Sequence, residues 1–413
     1  MIKDDVIGLI DIGSSKTAGA VIDLESDSFD LLALSVNPCK GMKKGVITDL
    51  DNAATSVDLT LRDLQRTIGR EIESIFVTVS GPHVESSCVQ GFVPIYPRTR
   101  PIGSDDVLQV VNHSRQVLLS PDREQVQAIP REFRIDSNRG IKRPIGMNGA
   151  KLEVVTFLVS GQSAQLQNIE RCVTMSGKKV TQMVLGPLAS ALGSLSHDEQ
   201  EMGSVCVDIG AGKTDFSIFS GGTIAFSTCI ALGGNHVTSD IANLLRTTTE
   251  EAERLKINHA TAFSKNVSEQ ESVDVLQIGQ SVARPLQRRV LCEIVESRMK
   301  ELATFVQQQI DKSGLGSMLQ GGIILTGGGS KLAGTSALFE SHIRHGRIRL
   351  GDPLHDLPPN SGEVNCGKAS LSALVGLSQF AFRLDEDEFA PTSGVESWKQ
   401  KVRTLWSFVG GKP

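Results

Sequence analysis

The chain has 413 residues, 39% of them hydrophobic and 22% charged, with a formal net charge of −5. That length exceeds one hydrophobic core and implies two lobes, and a mildly acidic balance without a basic face argues against nucleic acid as a partner. The seven cysteines stand singly with no zinc-ligand spacing, which together with the lack of a signal peptide predicts reduced thiols in a cytoplasm; no stretch is long enough to span a bilayer.

Taken in chain order, an apolar strand at 6–10 turns through Asp11-Ile12-Gly13-Ser14-Ser15-Lys16-Thr17 into a second strand at 18–22. An amphipathic helix is predicted from near Asp51, with Val57, Leu61, Leu64 and Ile68 on one face and Gly69 at its end, before a strand at 74–80. Residues 85–162 change character: a strand at 89–96, a helix after Ser104, a stretch rich in Pro and Gly, and a strand at 154–160 predict a small inserted α+β unit. A helix at 165–175 and a strand at 180–185 return to the first lobe. At 203 the opening pattern recurs. The apolar run 205–207 leads into Asp208-Ile209-Gly210-Ala211-Gly212-Lys213-Thr214 and then a strand at 216–219. A self-similar pair at this separation predicts a duplicated domain. Next come Gly233-Gly234 before a helix, a polar helix-rich stretch at 241–300, a long helix at 291–310, and a strand at 322–325 opening into Thr326-Gly327-Gly328-Gly329-Ser330.

Turns of Gly and Ser ending in Lys aim backbone N–H groups and an ammonium at phosphate, and a strand-ending Asp can hold a hydrated divalent cation. A single copy would read as an ordinary hairpin; two matched copies predict a clamp on a nucleoside triphosphate. The Gly-Lys-Thr at 212–214 is not a Walker A loop. That motif needs Gly where Val207 stands, and a helix where the run 216–219 is apolar. The glycines at 233–234 add a helix N-terminus as a third anion point.

These motifs together resemble the actin, Hsp70 and sugar-kinase ATP-binding fold. Within it, Gly233-Gly234-Asn235-His236-Val237-Thr238-Ser239-Asp240, Ala252-Glu253-Arg254-Leu255-Lys256, Arg284-Pro285-Leu286-Gln287-Arg288 with Glu296-Ser297-Arg298, and the placement of the insert resemble the FtsA family of bacterial cell-division proteins. The resemblance implies an α/β, actin-like two-lobed ATPase fold: first-lobe core at 1–84 and 163–202, insert at 85–162, second-lobe core at 203–240 and 301–382, and a helix-rich subdomain at 241–300. It implies ATP and Mg²⁺ as ligands. Asp11 and Asp208 would hold the metal through water. Gly13, Ser14, Ser15, Lys16 and Gly210, Ala211, Gly212, Lys213, Thr214 would wrap the phosphates, with Gly233 and Gly234 closing them in. Glu253 and Lys256 would face the nucleoside, and Gly327, Gly328 and Gly329 the adenine. It further implies an FtsZ C-terminal tail on Arg284, Arg298 and Glu301, self-polymerisation, and later division proteins on the insert. By residue chemistry alone, Glu253–Lys256 reads as a surface ion pair and the Arg298 face as a solvated helix face. No residue stands out as a general base, so a weak ATPase is the most the sequence supports.

After an acidic linker at 383–395, residues 396–413 place Trp398, Val402, Leu405, Trp406 and Val409 on one helical face, with Lys399, Lys401 and Arg403 beside or off it. Four basic residues against one acidic there fit an in-plane anchor on an anionic membrane surface, which the resemblance implies is the cytoplasmic face of the inner membrane; a helix docking into a protein groove is the competing reading. A small-molecule kinase, a chaperone ATPase and an actin-like component of a pilus platform are the rival classes, and none of them needs this tail.

Overall fold

The computed structural model describes residues 6–23, 31–97, 100–353 and 368–383. The first lobe opens with β1 (Val6–Ile12), β2 (Lys16–Asp23) and β3 (Leu31–Pro38), then the short hairpin β4 (Met42–Lys43) and β5 (Val46–Ile47), helix α1 (Leu50–Ile68) and β6 (Ser74–Val79). The predicted helix forms because Asp49 caps it, accepting from Asn52 N–H at 3.0 Å, and Gly69 closes it in the left-handed region. Its Ala53, Val57, Leu61 and Leu64 are buried on the sheet.

The insert follows as β7 (Val84–Pro94), α2 (Ser104–Arg115), β8 (Arg123–Ile135), β9 (Asn138–Ile141) and β10 (Lys151–Gln162). Its strands run antiparallel in the order β7-β10-β8-β9, around a small core of their own that includes Val93, Val110, Phe133 and Leu152. The chain then re-enters the lobe through α3 (Ser163–Thr174), β11 (Lys179–Leu185), α4 (Gly186–Ser194) and α5 (His197–Met202).

The second lobe is β12 (Ser204–Ile209), β13 (Thr214–Ser220), β14 (Thr223–Ile230), α6 (Gly234–Leu245), α7 (Thr249–His259), β15 (Ser272–Val275), β16 (Arg284–Gln287), α8 (Arg288–Ser313), β17 (Gly322–Thr326), α9 (Thr335–His342), β18 (Ile348–Leu350) and α10 (Ser372–Arg383). The β15–β16 hairpin sits inside the stretch read from sequence as helical, because four-residue strands with exposed faces leave too short a period-2 signal.

The duplication is carried through to topology. One sheet runs β3-β2-β1-β6-β11 and the other β14-β13-β12-β17-β18, each with an antiparallel meander followed by two parallel strands. The central strands β1, β6, β12 and β17 are almost continuously buried, as expected where both faces are covered.

Two helices cross where the lobes meet. In α4 every residue is buried, and its Gly193 lies so close to α10 that an added Cβ would stand 2.1 Å from the Ser372 carbonyl oxygen. The approach is reciprocal: a Cβ on Gly376 would stand 1.6 Å from the Ala189 carbonyl oxygen. Small residues on both helices let the backbones touch there.

Candidate functional site

The two repeated turns fold alike and face one another. Gly13 N–H donates to Lys16 O at 2.9 Å, and Gly210 N–H donates to Lys213 O at 3.0 Å. A Cβ on either glycine would press on that same carbonyl, at 2.8 and 2.9 Å respectively, so closure of each turn requires its glycine. The turns also touch each other, because a Cβ on Gly212 would lie 2.5 Å from Ser14 Oγ. Ser14 Oγ is buried there with no hydrogen-bond partner, a hydroxyl held between two phosphate-type turns.

Between them opens a cavity of about 620 Å³, within the range of small-molecule sites. It is lined by both turns, by Asp11 and Asp208, by Glu253 and Lys256, and by Gly234 and Gly327–Gly329. Each strand-ending carboxylate is oriented by a hydroxyl: Thr78 donates to Asp11 at 2.5 Å, and Ser190 of α4 donates to Asp208 at 2.5 Å. Burial, then the charge of Asp215, pushes Asp208 up to about 6, with a further push from Asp11 across the cleft. Two carboxylates on facing turns form a donor set suited to a hydrated Mg²⁺, which takes one or two carboxylates and otherwise water and phosphate. Gly327 sits behind Asp208 with φ +83°, and a Cβ there would stand 2.1 Å from Asp208 Oδ1. These residues fit a nucleotide with its metal.

The expected groups are engaged differently from one another. Lys16 Nζ reaches across to Ser370 Oγ at 2.7 Å, in the cavity wall. Lys213 instead pairs with Asp215 and donates to Ser80 Oγ at 2.8 Å. At α6 the amides read as an anion point are turned to another use: Gly234 and Asn235 donate to the carbonyls of Gly210 and Ala211 at 2.9 and 2.8 Å. The helix start braces the second turn. Glu253 and Lys256 pair at 2.6 Å on the cavity wall, and Lys256 also donates to Thr238 Oγ1 at 2.9 Å.

Arg298 of α8 holds Asp240 of α6 through two bonds at 2.6 and 2.9 Å and also pairs with Glu301. Arg284 is exposed on β16, the strand that leads into α8. The linker beyond Arg383 and the expected anchor residues Trp398, Lys399, Lys401, Val402, Arg403, Leu405, Trp406 and Val409 lie outside the described residues. Among the described residues no helix is long and apolar enough to cross a membrane.

Sequence reasoning passed over Thr78, Ser80, Ser190, Asp215 and Ser370. Only Asp215 left a signal, since residues two apart on an extended chain share a face and so set it beside Lys213.

A model of the family described as cell division protein FtsA matches residues 205–376, and one described as the SHS2 domain inserted in FTSA matches residues 81–160. The FtsA of Pseudomonas aeruginosa is 36% identical over 349 residues, covering 84% of this chain and 83% of that protein. This chain belongs to the FtsA family. FtsA of Escherichia coli K12 is 32% identical over 358 residues, 85% of this chain and 84% of that one, and FtsA of Bacillus subtilis is 30% identical over 374 residues, 91% and 83%. Among solved structures, a PilM-PilN type IV pilus biogenesis complex matches with TM-score 0.63 at 15% identity, over 91% of this chain and 98% of that one. MreB5 of Spiroplasma citri bound to AMPPNP matches with TM-score 0.57 at 13% identity, over 93% and 98%. At these identities the structures speak for the actin-like fold of an FtsA-family chain and for nothing finer.

Proposed function

We propose that this FtsA-family protein is an ATP- and Mg²⁺-binding adaptor that polymerises at the cytoplasmic face of the inner membrane, tethers FtsZ filaments there and recruits later division proteins through its insert. The observation that carries the reading is the pair of equivalent turns, each closed by its own glycine, facing one another across a cavity of about 620 Å³. Asp11 and Asp208 hold the metal through water, the two turns wrap the phosphates, and Gly327–Gly329 give the base a surface without side chains. The metal supplies charge neutralisation for the phosphates. The protein's own contribution is to orient Asp11 through Thr78 and Asp208 through Ser190. Nucleotide acts chiefly as a conformational ligand that sets lobe closure. Arg298 and Glu301 offer the FtsZ tail a charged face. The segment 396–413 supplies the anchor, and division-site localisation follows from the two together.

Co-sedimentation with anionic lipid vesicles in Mg-ATP tests this, comparing the full chain, a chain ending at Gly394, and Trp406→Asp. Pelleting of the full chain alone supports the adaptor. If all three stay in the supernatant, the tail is a docking helix and the adaptor reading is lost.

A further inference from the structure

The two turns are equivalent in backbone, yet their lysines do different things. Both lysines line the cavity, Lys16 with its Nζ on Ser370 Oγ at 2.7 Å. Lys213 is largely buried, its side chain 17% exposed, and is enclosed by groups from both lobes. Asp215 of β13 takes its ammonium from below. Ser80 of the first lobe accepts from it at 2.8 Å and itself donates to the other Asp215 oxygen at 2.5 Å. The lysine stem is covered by the β4–β5 turn: a Cβ on Gly45 would stand 3.0 Å from Lys213 Cδ and 2.7 Å from Ser80 O. Lys213, Asp215 and Ser80 thus close a half-buried three-membered ring in the cavity wall across the lobe boundary.

Ser80 is the last residue before the insert departs. Gly81 and His83 follow, and at His83 the chain is tied to the returning strand: Gln162 N–H donates to its carbonyl at 3.1 Å and Arg123 to the same oxygen at 3.3 Å. Further along, the insert touches the second lobe again. Ser86 Oγ donates to Ser227 O of β14 at 3.0 Å. The insert grows from one lobe and is fastened to the other. Its root is fastened to the very turn that faces the cavity.

We propose that Lys213 is a positioning residue and not a phosphate ligand: through Asp215 and Ser80 it latches the root of the insert to the second phosphate turn, leaving Lys16 as the turn ammonium that meets phosphate. Movement of that turn when the cleft closes is then passed directly to residues 80–86. The inference rests on the cavity being a nucleotide site, and it applies to the residues of this chain.

Hydrogen exchange of the full chain, with and without Mg-ATP, tests it alongside binding of a fluorescent ATP analogue. In the wild type, Mg-ATP slows exchange both in the turns and in residues 80–94. Ser80→Ala keeps the ion pair and the fold, and Lys213→Met with Asp215→Asn removes both charges so that no buried carboxylate is left unpaired. Both should keep turn protection while the response of residues 80–94 falls about fivefold, the worth of one or two buried hydrogen bonds. Lys213→Arg, which keeps the pair, restores it. Lys16→Met weakens the analogue about tenfold or more, as loss of a charged phosphate contact should, and Lys213→Met with Asp215→Asn by less than about threefold. The proposal is overturned if that double variant weakens the analogue as much as Lys16→Met, or if residues 80–94 respond normally in Ser80→Ala. If Mg-ATP protects neither turn in the wild type, the nucleotide reading itself fails, a result distinct from either of these.

Discussion

Gly376→Ala tests the helix crossing at the lobe boundary, because two physical effects predict opposite signs there. Gly376 lies inside α10, where helix propensity alone makes alanine stabilising by about 1 kcal/mol. The added methyl, however, would stand 1.6 Å from the Ala189 carbonyl oxygen and 2.7 Å from Gly193 N, whereas real Cβ contacts essentially never fall below 3.0 Å. Both neighbours are backbone of α4, so no rotamer relieves the clash, and the helices must separate by about 1.4 Å, the shortfall from that 3.0 Å limit. Overpacking of this kind costs about 1–3 kcal/mol, and the rigid neighbours put it toward the upper end. Net of the propensity gain, about 2 kcal/mol of destabilisation remains, equivalent to some 2–5 °C in the midpoint depending on how much of the chain unfolds together. Thermal denaturation followed by circular dichroism, with Gly328→Ala as a control whose nearest foreign atom is 3.8 Å away, reads this directly. A midpoint for Gly376→Ala at or above wild type would refute the close-crossing account.

Three further expectations follow from the site and its surroundings. His83 is 3% exposed with neither ring nitrogen bonded, and burial, aided by the charges of Lys213 and Arg123, lowers it to about 4. The unfolded chain therefore takes up a proton first as pH falls. Stability is complete above about 6.5 and is lost between there and about 4, by about 2 kcal/mol after discounting for residual solvation. Urea midpoints at pH 7.5 and 5 should differ more in the wild type than in His83→Leu, and equal slopes would sink the idea. Gly327→Ala combines a left-handed φ with a carboxylate at 2.1 Å, so ATP-analogue affinity should fall about tenfold or more while Gly328→Ala stays foldable; titration of the fluorescent analogue checks both. Arg298→Glu reverses the charge that meets Asp240 and Glu301. It should weaken an FtsZ-tail peptide about tenfold by fluorescence polarisation, and unchanged binding would move that contact elsewhere.

Much of this architecture could be read from the sequence because it is written twice. Asp11-Ile12-Gly13 and Asp208-Ile209-Gly210 marked strand ends that recur as β1 and β12, the centres of two sheets of the same order. The amphipathic stripe of α1 and its closing Gly69 were legible for the local reasons that make a helix start and stop. What could not be read depends on distant partners. Ser370 reaches Lys16 from 354 residues away and Ser80 reaches Asp215 from 135, and no local pattern marks a serine for such work. Gly233-Gly234 was legible as a helix start but not as a brace, because carbonyls of the neighbouring turn compete for the same amides that an anion would take. The sequence repeat likewise implied equal roles for Lys16 and Lys213; one carboxylate two residues on separates them.

The unequal decoration of two equal sheets has a mechanical consequence. Where β6 runs on into the insert, its counterpart β17 runs into the short turn of Gly327 and Gly328; where β14 leads to α6 and the β15–β16 hairpin, its counterpart β3 leads to α1. Each half carries one appended unit, and the insert touches both lobes, through its root at Ser80 and again through Ser86. A displacement of one lobe against the other would therefore load the insert at two points instead of leaving it to swing freely.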